Sequence, residues 1–127
     1  MLIKRSKPGQ PPYWTTPGGG VEEGDGSAAD ALHRELAEEL GAVATISGRV
    51  LLISSETAEG VAVQEIFAAR LVSMDATARS GAEWIAGAYA VERVPVDRIG
   101  EIDLKPLALR DFVTRNADML LAEVFSR

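Results

Sequence analysis

Pro17-Gly18-Gly19-Gly20-Val21-Glu22-Glu23-Gly24-Asp25, followed after eight residues by Arg34-Glu35-Leu36-Ala37-Glu38-Glu39-Leu40-Gly41, decides how this chain folds. No regular helix tolerates the first half, where a proline precedes three glycines. The second half is helical in pattern. Ser27 stands where an N-cap belongs, with Asp30 three residues on at capping-box spacing. Leu32, Leu36 and Leu40 recur every fourth residue and mark a buried stripe. Gly41 is placed to end the helix in a left-handed conformation. The reading is a glycine loop followed by a helix over Ser27–Leu40.

Glu35, Glu38 and Glu39 fall at i, i+3 and i+4, so their carboxylates share one face of that helix. Like charges at this spacing oppose a helix by roughly 0.2–0.5 kcal/mol per exposed pair, and Arg34 can offset part of this by pairing with Glu38 at i+4. An acidic helix face is ordinarily just solvated. Here a glycine loop lies immediately upstream, and glycine lets the backbone come close to a ligand. Backbone carbonyls and carboxylates together form the oxygen donor set that a hard cation takes.

Composition narrows the chemistry further. The chain has no cysteine and one histidine, His33. Cysteine-ligated zinc, disulfides and thiol nucleophiles are therefore excluded, and a bound metal must be held by oxygen, which favours Mg²⁺, Mn²⁺ or Ca²⁺. A formal net charge of −6 argues against binding a nucleic acid polymer by long-range attraction. No apolar run approaches the ~20 residues of a membrane span, so no membrane partner is expected. Met1–Gln10 lacks the apolar core of a secretory signal, and a cytoplasmic location is expected. The 127 residues fit a single domain, 1–127.

Outward from the helix, Leu2–Lys4 reads as the end of a strand, and Pro8-Gly9-Gln10-Pro11-Pro12 as turns. Val50–Ser54 and Val61–Val72 read as strands of a hairpin turning through Glu59-Gly60. Tyr89–Val94 is a further strand, and Leu107–Phe125 is helical with a break near Asn116. This order predicts an α/β chain of the α+β type, a mixed sheet covered by helices. Other glycine-loop readings fail: Gly18-Gly19-Gly20 is not followed by Gly-Lys-Ser/Thr, and Glu23 stands where Gly-x-Gly-x-x-Gly needs its last glycine.

Together these residues resemble the Nudix box. In that pattern a glycine is followed six positions on by glutamate, and seven further residues lead to Arg-Glu-aliphatic-x-Glu-Glu-x-Gly-aliphatic. The portion Arg34–Gly41 is complete. Leu2-Ile3-Lys4-Arg5 before the box and Val94-Pro95-Val96-Asp97 after it resemble flanking Nudix segments. The chain departs from the pattern at three places. Asp25 stands where the family prefers glutamate, with one extra residue, Gly26, before the helix. Ala42 takes the final aliphatic position. The strand and hairpin that usually precede the Leu2–Arg5 strand are missing, which predicts an altered sheet edge.

The resemblance implies a Nudix-type α/β/α sandwich with a mixed central sheet lacking its usual N-terminal strand. It implies an enzyme that hydrolyses the diphosphate linkage of a nucleoside diphosphate joined to another group. The implied cofactor is Mg²⁺, with Mn²⁺ as substitute, held by Glu35, Glu38, Glu39 and the Gly18 carbonyl. Arg34 would orient the glutamates. Glu35 is the helical candidate for general base, and Glu83 on a later loop, with Glu92 behind it, is the other. Apart from the resemblance, Lys4, Arg5 and Arg70 are basic residues that either meet phosphates, Arg5 first among them, or are solvated surface. Trp14, or Tyr13 beside it, either stacks on a base or packs the loop against the core. The implied partner is a small-molecule nucleotide-type diphosphate, and an open sheet edge allows a homodimer through strand pairing. The alternative function is a non-catalytic Nudix-fold module that senses a nucleotide, motivated by Asp25, Gly26 and the missing strand.

Overall fold

The computed structural model describes residues 1–18, 20–75 and 89–125. Helix α1 (Ala28–Leu40) follows its sequence signals closely. The Ser27 hydroxyl accepts the Asp30 N–H at 3.1 Å, satisfying one of the free donors of the first turn. Gly41 adopts φ 60° and ψ 36°, a left-handed conformation that suits glycine, and its N–H donates to the Ala37 carbonyl at 3.0 Å.

Five strands accompany it: β1 (Leu2–Arg5), β2 (Tyr13–Thr15), β3 (Ala42–Thr57), β4 (Gly60–Met74) and β5 (Tyr89–Glu92). A 3₁₀ turn (Val96–Glu101) leads to α2 (Leu107–Arg115) and α3 (Ala117–Phe125), and the expected break at Asn116 separates these two helices. No helix of the described residues is long and apolar enough to cross a membrane.

The strands form two sheets: β2-β1-β5, and the hairpin β3-β4. All strand pairs are antiparallel. The parallel component is one bridge, Trp14 to Leu104, in which Trp14 N–H donates to the Asp103 carbonyl and Lys105 N–H to the Trp14 carbonyl, each at 2.9 Å. Residues 103–105 thus lie along β2 through a single parallel bridge.

The two faces of the β1 sheet go to different helices because side chains alternate along a strand. Ile3 joins Leu36, Leu40, Ala42 and Ala44 on the α1 side, with Tyr89 and Val91 packed against them. Leu2 joins Ile99, Leu104 and Leu109 on the α2 side, with Trp14 and Val113 packed there. The result is the helix–sheet–helix layering expected of the sandwich.

The expected hairpin strands are longer than their apolar runs. β3 begins at Ala42 and β4 reaches Met74, with register shifts at Val43/Ala44, Ile46/Gly48 and Arg49/Leu51. The half nearest α1 is packed through Ala42 and Ala44. The half nearest the turn is open, with Val61 69% and Val63 57% exposed.

Candidate functional site

The acidic turn of α1 and the glycine loop are joined by one short contact. Glu39 is only 2% exposed, and its Oε1 accepts the Gly18 backbone N–H at 2.9 Å. A buried carboxylate must be hydrogen-bonded to be tolerated, and this one uses the loop as its partner. Gly18 has φ 147°, in the region that favours glycine, so a side chain here would strain the loop where it meets the helix.

Arg34 holds the same loop from the other side. Its Nη2 donates to the Gly20 carbonyl at 3.0 Å and to Asp25 Oδ2 at 3.1 Å. Its Nε donates to Asp25 Oδ1 at 3.2 Å, and its Nη1 reaches Glu35 Oε1 at 3.0 Å and Glu38 Oε2 at 3.4 Å. Glu22 Oε1 lies 3.5 Å from Nη1. Asp25 also accepts the Glu22 N–H at 2.8 Å. The Arg34 hydrogen bonds, then the Glu22 N–H, hold the Asp25 carboxyl below the usual carboxylate range. Asp25 in turn, with Glu35 adding to it, raises the affinity of Arg34 for its proton. The aspartate therefore reaches Arg34 through two nitrogens despite being one methylene shorter than glutamate.

Glu35 is nearly covered, whereas Glu38 is more open. Among the described residues no three acidic or histidine side chains converge closely enough to enclose a metal ion. Arg34 Nη1 is shared between Glu35 and Glu38 in this arrangement. Glu83 lies outside the described residues. His33 is exposed on the helix.

The two expected substrate contacts fall on opposite sheet faces. Arg5 pairs across β1 with Tyr13 and Tyr89, so all three share the α1 face. Arg5 Nε donates to Thr15 Oγ1 at 2.9 Å, and its guanidinium lies 4.8 Å from the Tyr89 ring centre. Trp14 lies on the α2 face, where its Nε1 donates to Glu92 Oε1 at 3.2 Å and Lys4 Nζ sits 5.5 Å from its ring. Glu92 also pairs with Lys4 at 3.9 Å.

Arg5 and Gly18 line one cleft of about 790 Å³, walled by Gln64 and Ile66 of β4 and by Asp103 and Lys105 beside β2. Lys105 and Gln64 carry no sequence signal as site residues. Each is an isolated polar residue, brought to the cleft by pairings with distant segments.

Comparisons with known proteins bear on this arrangement. A model of the NUDIX domain matches residues 1–111. The E. coli ORF135 protein, solved in solution, is 25% identical, with a TM-score of 0.60 over 94% of this chain and 79% of that one. A NUDIX hydrolase from Nitrosomonas europaea is 19% identical, with a TM-score of 0.65 over 92% of this chain and 79% of that one, a likeness of fold. No curated protein matches the chain.

Proposed function

This chain belongs to the Nudix family, and on that premise we propose that it is a divalent-cation-dependent hydrolase of small nucleotide-type diphosphates. Its reaction is cleavage of the diphosphate linkage of a nucleoside diphosphate joined to another group. The observation that carries this reading is the latch from Gly18 N–H to buried Glu39, which brings the glycine loop onto the turn bearing Glu35 and Glu38.

The donor chemistry suits a hard cation, being oxygen alone: three carboxylates on one helical turn and a glycine backbone within reach. Glu35, Glu38, Glu39 and the Gly18 carbonyl would hold Mg²⁺ or Mn²⁺. When bound, such a cation neutralises diphosphate oxygens and lowers the pKa of a water. The chain supplies the rest. Arg34 fixes Glu35 through Oε1 at 3.0 Å, leaving Oε2 to accept the proton of the attacking water. As that water oxygen bonds to phosphorus, the bridging P–O bond breaks and the departing phosphate keeps the electron pair. Glu83 stays the alternative base. Because Asp25 and the Gly20 carbonyl hold the other nitrogens of Arg34, its Nη1 can release Glu38 while its bond to Glu35 and the loop clamp stay in place.

The competing reading is a sensor that binds nucleotide without cutting it, motivated in part by Asp25. The contacts that Asp25 makes to Arg34 supply the support a glutamate would give, which favours the enzyme. A cytoplasmic location accompanies this reading.

The test is nucleotide or phosphate release from a panel of ordinary and oxidised nucleoside triphosphates, ADP-ribose, NADH, diadenosine polyphosphates and nucleotide sugars. It is run with Mg²⁺, with EDTA, and with Glu38→Gln. Cleavage that requires Mg²⁺ and collapses in Glu38→Gln is expected. Tight binding without turnover would favour the sensor.

A further inference from the structure

The sheet face that floors the cleft carries a group of cations. Arg5 and Tyr13 share it by their cross-strand pairing, and the Trp14–Leu104 bridge puts Asp103 and Lys105 on it as well. Lys105 Nζ lies 4.7 Å from the Tyr13 ring centre, and Lys7 Nζ lies 5.8 Å from the same ring. Cations held over aromatic rings keep their charge while their position is restricted.

Among the described residues, Lys4, Arg34, Arg49 and Arg98 all pair with carboxylates, whereas Arg5, Lys7 and Lys105 do not. Lys7 and Lys105 over Tyr13, with Arg5 over Tyr89 on the same face, are three cations without a carboxylate partner, a local reversal of sign on a chain of net charge −6. Arg5 and Lys105 line the cleft that Gly18 also lines, with Asp103 as its one acid. Because residues 103–105 run parallel to β2, Lys105 lies at the end of that strand from which the chain continues to Gly18.

We propose that this cationic floor, with Lys105 as its selecting residue, makes a nucleoside triphosphate the preferred substrate over a diphosphate linked to a neutral sugar. The inference rests on the hydrolase reading and narrows its substrate class. The glycine loop and acidic turn take the diphosphate to be cut. A third phosphate adds negative charge that a neutral sugar lacks, and Lys105 and Arg5 are the cleft-lining cations that no carboxylate pairs and that can meet it. Removing such a contact costs about tenfold in affinity, the size of one charge-assisted hydrogen bond.

The experiment compares a nucleoside triphosphate with ADP-ribose under Mg²⁺ in wild type, Lys105→Gln and Lys105→Arg. Inorganic tripolyphosphate is titrated calorimetrically into the same proteins in EDTA. Wild type is expected to favour the triphosphate in kcat/KM. Lys105→Gln is expected to lower that preference about tenfold, chiefly through KM, and to weaken tripolyphosphate binding about tenfold. Lys105→Arg should retain most of both, and Arg49→Gln on the hairpin should change neither. Wild type preferring ADP-ribose would overturn the proposal, as would Lys105→Gln leaving either the preference or the tripolyphosphate affinity unchanged. If neither nucleotide is cleaved, the hydrolase reading is what fails, and the titration still decides whether the cations hold a third phosphate.

Discussion

Replacing Glu39 by alanine should cost this domain far more than removing an ordinary glutamate. The side chain is 2% exposed, and its carboxylate accepts the Gly18 N–H at 2.9 Å. Water cannot readily take the place of the lost acceptor, so the full value of a hydrogen bond to a charged group is lost, about 1.5–3 kcal/mol. A chain of 127 residues unfolds with an entropy of about 0.27 kcal/mol/K, taking about 2.1 cal/mol/K per residue. The melting temperature should therefore fall by roughly 6–11 °C. The assay is thermal unfolding followed by circular dichroism in EDTA, which keeps cations from adding stability of their own. Glu39→Gln separates the latch from the charge. It keeps an oxygen for Gly18 and should lose less than half as much stability, yet Mg²⁺, expected to raise the melting temperature of the wild type, should no longer raise that of this variant. An alanine variant melting within about 2 °C of wild type would show that the loop is not latched to the helix, and the argument for the site would fall with it.

Three further outcomes follow from the same structure. Ser27→Ala should destabilise by about 1 kcal/mol through loss of the α1 cap, read from a urea unfolding midpoint. Leu40, with 0% exposure at the centre of the α1-side cluster, should cost about 2–5 kcal/mol as alanine in the same assay. Asp25 has a depressed pKa in the fold, so its contribution is complete above the ordinary aspartate value near 4 and drains away as pH falls through the folded value. Stability measured from neutral pH down to about pH 2 should show this acid-side loss in wild type, and Asp25→Asn should show less of it.

Helix α1 was legible because everything that specifies it is local. Its cap, its leucine stripe and Gly41 lie within fifteen positions, Ser27 to Gly41; Ser27 caps the helix, Gly41 ends it, and Leu36 and Leu40 are buried with Leu32 half-buried beside them. The strands were legible only where their apolar runs are dense. The opening of β3, Ala42-Val43-Ala44-Thr45, alternates buried and exposed residues, but alanine carries too little hydrophobicity for that alternation to stand out. Its burial comes from α1 lying across it. β2 is three residues, Tyr13-Trp14-Thr15, whose types favour strands but whose run is too short, so close to prolines, to read as one alone. It is a strand because Leu2–Arg5 and residues 103–105 offer it partners on both edges.

The same distinction separates the two halves of the candidate site. The acidic half is written in one turn of helix, where i, i+3 and i+4 spacing suffices to bring three carboxylates to one face. The cleft that would receive a substrate has no such grammar. Arg5, Gly18, Gln64 and Lys105 come from β1, the glycine loop, β4 of the other sheet and the segment beside β2, and they meet only through the packing of these distant segments. Alternation also explains the divergence of Arg5 and Trp14. Trp14 pairs across the sheet with Lys4, one residue before Arg5, and one step along a strand reverses the side-chain direction. Trp14 is therefore committed to the α2 core while Tyr13, its neighbour, stands with Arg5 and Lys105. The order of two adjacent residues on a three-residue strand, invisible to composition and motif alike, decides which aromatic stands beside Arg5 and Lys105.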